Sequence, residues 1–154
     1  MREYALFLGC MIPLRLPNME ASARRVTEVL GVKLHEMKEA SCCPDPVGIQ
    51  SLDYVTWLAL GARNISIAED MNFDILTLCN GCFETLKTVN ETLKKDGRLR
   101  ERVNALLGEL GRSYKGKIAV KHLIEVLHDD VGAGEIKENV VTNLSGVKVA
   151  AHYG

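Results

Sequence analysis

What this chain lacks narrows its function before any motif is read. It has no long apolar run: the longest, "WLALGA" at residues 57–62, falls far short of the roughly 20 residues that cross a bilayer. No secretion signal is visible, because "YALFLG" (4–9) runs straight into "CMIPLRLPN" and reads as a buried strand. The chain is therefore expected to be cytoplasmic, without direct membrane insertion. Neither charge sign is in excess, with 19 Lys and Arg against 20 Asp and Glu, so nothing marks it for nucleic acid or an anionic surface. An even set of cysteines is missing too. There are five, Cys10, Cys42, Cys43, Cys79 and Cys82, and an odd count without a secretion signal argues against a disulfide framework. Low-complexity segments and domain linkers are absent, and 154 residues suit a single domain, 1–154, with a real core.

What is present alternates. Residues 4–9, 33–40, 73–78 and 147–153 read as short strands, and 117–120 adds a fifth candidate. Between them lie helical patterns. "NMEASARRVTEVLG" sets Met19, Ala23, Val26 and Leu30 on one face and stops at Gly31. A second helix starts at a Ser51 cap, with a stripe through Leu52, Val55, Ala59, Ala62 and Ile65. A third carries Leu86, Val89 and Leu93 up to the break at Asp96-Gly97. "RLRERVNALLGELG" and "HLIEVLHDDVG" are helical as well, and 131–146 reads as a loose connection. Strands alternating with helices predict an α/β domain with a mostly parallel sheet of four or five strands flanked by helices.

On that scaffold Cys10 follows the first strand, Cys42-Cys43 the second and Cys79 the third, with Cys82 in the first turn of the next helix. Strand carboxyl ends of an open parallel sheet share one edge, where ligands bind. All five thiols are thus expected at that edge, although they span 73 positions. A lone buried cysteine is usually a small hydrophobe, but that reading does not explain a CC pair and a "CNGC" placed after successive strands. Three chemistries remain. A dithiol oxidoreductase would use Cys79-x-x-Cys82, with Cys82 favoured as thiolate by the helix N-terminus, and would leave three cysteines idle. Structural zinc takes four ligands, and five are offered. An iron–sulfur cluster makes the vicinal pair intelligible, because adjacent thiolates can ligate neighbouring irons while the prolines of "CCPDPVG" fix the turn.

The spacing Cys10, 31 residues, Cys42-Cys43, 35 residues, Cys79-x-x-Cys82 resembles the cysteine-rich CCG domain of the heterodisulfide reductase B-type subunits, also found in glycolate and lactate oxidation systems. "LGC", "CCP", "ALGARN" and "CNGC" followed by "FETL" resemble it as well. The resemblance implies that Cys10, Cys42, Cys43, Cys79 and Cys82 hold a non-cubane 4Fe–4S cluster and act in catalysis through it; from the thiols alone, zinc is the expected substitute metal. It also implies reduction of a small-molecule disulfide such as coenzyme M–coenzyme B. The implied partners are a flavin-bearing A-type and a ferredoxin-like C-type subunit. Alternatives stay open: an electron-relay module of an organic-acid oxidation complex, or a CxxC oxidoreductase.

Members usually carry two such motifs, and this chain has one. "VKVAAHYG" resembles the strand before Cys10, so the native chain is expected to continue with a cysteine and a second motif, and residues 1–154 alone are expected to be inactive. His152, just before that point, is a candidate proton donor to a leaving thiolate. Arg15 is a candidate contact for an anionic group, and "MIPLRLP" is expected to shield the cluster or meet a partner. His35, His122 and His128 read as surface or half-buried residues rather than ligands.

Overall fold

A computed structural model of the chain describes residues 2–142 and 145–150. Four strands form its sheet: β1 (Arg2–Phe7), β2 (Val32–Glu36), β3 (Asp74–Thr77) and β4 (Val120–His122). Their order is β2-β1-β3-β4, and every pairing is parallel. Helices α1 (Met11–Arg15) and α2 (Pro17–Val29) connect β1 to β2, α3 (Gly48–Leu52) and α4 (Tyr54–Met71) lead to β3, and α5 (Asn80–Lys95) and α6 (Gly97–Gly108) lead to β4. After β4 come α7 (Leu123–Glu125), a π-helical turn at Val126–Val131, and α8 (Ala133–Glu138).

The two central strands, β1 and β3, are buried on both faces, as parallel strands between helices must be. Tyr4 and Leu6 of β1 join Leu76, Ile12, Ala23, Leu30 and Val126 in one layer. Ala5 and Phe7 turn the other way and join Ile75, Trp57, Ile65, Leu86, Leu93 and Leu107. The second layer is built mainly from α4, whose start is capped by Asp53 accepting from the Val55 and Thr56 amides. Asn72 in the left-handed region ends it.

Several boundaries differ from the sequence expectation for identifiable reasons. The expected Ser51 start splits in two: Gly48–Leu52 forms its own short helix, Leu52 is exposed, and Asp53 is the true cap of α4. The fourth strand begins at Val120 rather than Lys117, because the Lys117 and Ala119 amides are taken by the carboxylates of Glu69 and Asp74 at 2.8 and 2.7 Å. In α2, Ala23 and Leu30 are buried as expected, whereas Met19 and Val26 are exposed and Thr27 takes the buried place. Its hydroxyl donates to the Ala23 carbonyl. The loose stretch 131–146 contains α8. Residues 147–150 of the expected last strand are exposed and form no ladder, and its remainder, with His152, lies outside the described residues.

Helices α4 and α5 approach closely at one point. A Cβ on Gly61 would lie 2.8 Å from Cγ2 of the fully buried Val89. Gly61→Ala is therefore expected to lower unfolding stability by about 1–3 kcal/mol through overpacking. In a Val89→Ala background that penalty should vanish, leaving the helix-propensity gain of alanine of up to about 1 kcal/mol. Urea unfolding of the four proteins checks this, and an undiminished penalty without Val89 would rule out the contact as cause.

Candidate functional site

The strand order reverses at β1: its first crossover leads outward to β2, and the next returns to β3 on its other side. Ligands of open α/β sheets bind in the crevice at such a reversal. Cys10 leaves β1 there as the residue before α1, and Cys79 leaves β3 as the cap of α5. Gly9 makes the approach feasible. Its φ of +66° suits glycine, and a Cβ there would sit 2.6 Å from Sγ of Cys82. No side chain fits at position 9 without displacing that sulfur.

The vicinal pair arrives from β2 through residues 37–41, and α4 holds this segment. Asn64 is fully buried, accepts from the Ser41 amide at 3.0 Å and donates to the Cys42 carbonyl at 3.0 Å. Its neighbour Arg63 donates to the Glu39 carbonyl through both terminal nitrogens at 3.2 Å. From the other side, Thr85 of α5 donates to the Pro44 carbonyl at 3.4 Å. On the third loop, Thr77 Oγ1 accepts from the Cys79 amide at 3.4 Å.

The five thiols form a string. Cys42 lies within side-chain hydrogen-bonding reach of Cys10 and Cys43. Cys43 and Cys82 perturb each other's ionisation, and Cys79 perturbs that of Cys82. Cys10 and Cys42 are exposed, Cys79 is half-buried, and Cys43 and Cys82 are buried. The thiols differ in acidity. The Cys82 thiol donates to Cys43, and with further donors, Cys42 and Thr85 among them, this brings Cys43 down to about 7 despite its burial. Cys82 is raised well above the ordinary thiol range by that same donation and by burial. Cys42 is pushed up to about 11 by burial and by the neighbouring Cys43 and Cys10. The helix N-terminus thus does not make Cys82 the ready thiolate. Cys43, on the preceding loop, takes that role.

The donor set is all sulfur, which suits soft metals and iron–sulfur groups. The string joins sulfur to sulfur, and among the described residues no three Cys, His, Asp or Glu side chains surround one common point. A cavity of about 400 Å³ opens between the ends of β1 and β2, lined by Leu8, Gly9, Lys38, Ser41 and Cys42 among others. A larger hollow of about 740 Å³ on the outer flank of α2 and β2 has no cysteine in its wall.

The remaining candidates scatter. Arg15 is exposed at the end of α1, and of the apolar loop after Cys10 only Ile12 is buried. Met11, Leu14 and Leu16 face solvent, so this segment forms an open rim in the structure. His35 sits in β2, stacked on Phe73 and bonded to Glu3 at 2.7 Å, while His128 is exposed beside Asp129. Two buried side-chain nitrogens have no hydrogen-bond partner among the described residues, Trp57 Nε1 and His122 Nε2. Sequence reading missed the Asn64 clamp, although "ALGARN" contains it, since only the fold shows an asparagine in a helix interior facing two backbone groups.

No helix among the described residues is long and apolar enough to cross a membrane. The chain is 40% identical over 154 residues to the B-type component of the ferredoxin:CoB-CoM heterodisulfide reductase of Methanosarcina mazei, covering all of this chain and 51% of that protein. It is 34% identical over 153 residues to the 8-methylmenaquinol:fumarate reductase membrane anchor subunit of Wolinella succinogenes, covering 52% of it. The chain thus spans about half the length of the curated relatives it matches. A crystal structure of a hypothetical protein from Helicobacter pylori shares the fold, with a TM-score of 0.73 over 83% of this chain and 25% of that one at 18% identity. The family model of the CCG cysteine-rich domain matches residues 4–87, the stretch that holds all five cysteines and three of the four strands, and the chain belongs to that family.

Proposed function

We propose that this chain is the iron–sulfur domain of a heterodisulfide reductase B-like protein, in which Cys10, Cys42, Cys43, Cys79 and Cys82 hold a non-cubane 4Fe–4S cluster. One observation carries this reading: three strand ends deliver the five thiols to one edge of the sheet, where neighbouring thiols, Cys10 and Cys79 among them, shift the acidity of Cys42, Cys43 and Cys82. Five sulfurs exceed the four ligands of a closed zinc site. When bound, the cluster supplies one-electron redox chemistry and a sulfur-binding iron face.

The chain's own residues do the rest. Asn64 and Arg63 fix the backbone of the vicinal pair, and Gly9 lets the β1 loop close on Cys82. Cys43 ionises near neutrality without a separate base. Splitting a disulfide consumes two electrons and two protons and yields two thiols. The electrons would come from a flavin-bearing A-type or ferredoxin-like C-type partner, and the open rim of Met11, Leu14 and Leu16 beside Cys10 suits such contact. A mixed disulfide such as that of coenzyme M and coenzyme B would approach from the exposed side, where Cys42 borders the 400 Å³ cavity. A second reading, an electron-relay module in an organic-acid complex, is favoured by the likeness to the fumarate reductase protein. Binding of the mixed disulfide to the loaded protein separates the two.

Anaerobic reconstitution should load about four irons and four sulfides per chain, the content of such a cluster. A single tightly held zinc that resists replacement would overturn the reading. Asn64→Ala removes its hydrogen bonds to the Ser41 amide and the Cys42 carbonyl, each worth about 0.5–1.5 kcal/mol. It should lower iron retention sharply while helical circular dichroism stays near wild type.

In the metal-free protein, thiolate absorbance should first rise through pH of about 7, and Cys43→Ala should remove that step. An unfolded thiol ionises nearer 9, so the Cys43 contribution to stability grows from pH 7 to 9 and is lost as pH falls through 7. Above 9 the raised Cys42 and Cys82 reverse the trend. Urea midpoints across this range test the sequence of rise and fall.

A further inference from the structure

His122 ends β4 at the same edge of the sheet as the cysteines. Its register partner is Thr77, the residue whose hydroxyl accepts from the Cys79 amide. Its ring packs edge-on against Phe83, next to Cys82, with centroids 5.7 Å apart. The backbone pairing and the ring contact thus place His122 beside residues that flank the CNGC turn on either side in sequence. The ring's other contacts fix its tautomer. Nδ1 accepts from the Ile124 amide at 3.2 Å, which places the ring proton on Nε2. The His122 amide in turn donates to Glu125, which also holds Lys87 at 3.0 Å, so the residue is tied down on three sides.

That leaves Nε2–H as a buried donor with no acceptor among the described residues. A donor in this state costs about 1–3 kcal/mol if it stays unmet, and Thr77, Phe83 and Ile124 are already engaged with other groups. The acceptors this edge of the sheet gathers are sulfurs. We infer that His122 donates a hydrogen bond from Nε2 to a sulfur of the group held by the cysteines, on the Cys79–Cys82 side, and thereby raises its reduction potential. This rests on the iron–sulfur reading above. The physical basis is that an N–H donor stabilises the more negative, reduced state, so hydrogen bonds to the sulfurs set a cluster's potential.

Two substitutions separate donation from packing. Asparagine reproduces the capping acceptor at the start of α7 but does not reach the Nε2 position, whereas glutamine reaches it. In the anaerobically loaded chain, His122→Asn should shift the midpoint potential negative in a redox titration, and His122→Gln should stay near wild type. Independently of any variant, electron–nuclear double resonance on loaded wild-type protein with nitrogen-labelled histidine should show a histidine nitrogen and one exchangeable proton coupled to the cluster. Unchanged potentials in both variants, or no such coupling, would overturn the role of His122 and leave the cluster assignment standing. Equal shifts in both variants with the coupling absent would reduce it to packing. Failure of the wild-type chain to take up iron and sulfide would overturn both.

Discussion

Sulfurs that are distant along the chain must reach one another without forcing the backbone out of a parallel sheet. That requirement organises the molecule. Parallel strands all end at the same edge, so a cysteine placed just beyond each strand is carried there by the sheet itself. The reversal at β1 then sets the Cys10 loop beside the Cys79–Cys82 turn, and the edge position of β2 brings the vicinal pair in from the flank. The fold supplies coarse convergence in this way, and the last few ångströms depend on small local features.

Those features are specific. Gly9 brings backbone within van der Waals reach of the Cys82 sulfur, which any side chain would forbid. Asn64 uses both ends of its amide on consecutive residues of the vicinal loop from inside a fully buried helix face. A buried amide of this kind is tolerated because both of its ends are paired, and it converts the rigidity of α4 into rigidity of a loop that has no regular structure of its own. The tight contact of Gly61 with Val89 matters for the same reason, because it presses α4 and its clamp against the helix that carries Cys82.

How far this was legible in the sequence depends on the kind of signal. Alternating strands and helices revealed the class and the parallel sheet, and five cysteines after strand ends revealed the edge. Signals that act across the fold were hidden. Lys117 and Ala119 have strand-like neighbours, yet side chains some 45 positions away, Glu69 and Asp74, take their amides and delay β4. Asp53 outcompetes Ser51 as a cap because its carboxylate reaches two amides, a choice that depends on where α3 ends. Helix-terminus reasoning pointed to Cys82 as the acidic thiol, whereas the thiol–thiol hydrogen bond reverses the pair and makes Cys43 the acceptor. His122 reads as an ordinary half-buried histidine until its tautomer and its orphaned nitrogen are seen together.

The electrostatics of the string argue for what it is built to receive. The interactions that chiefly shift Cys42, Cys43 and Cys82 come from burial, from one another, from Thr85 and from backbone, with no Lys or Arg among them. A redox dithiol usually draws its thiolate from a nearby positive charge. Here the first thiol to ionise raises its neighbour Cys42 and leaves Cys82 holding its proton, so the metal-free set resists losing further protons. Five thiolates side by side would repel one another strongly in this half-buried setting. A multivalent cationic centre taking the place of the protons would relieve that repulsion, and on the proposed reading the early ionisation of Cys43 gives it a first anchor. On the iron–sulfur reading proposed above, the sulfur string suits a metal–sulfide guest.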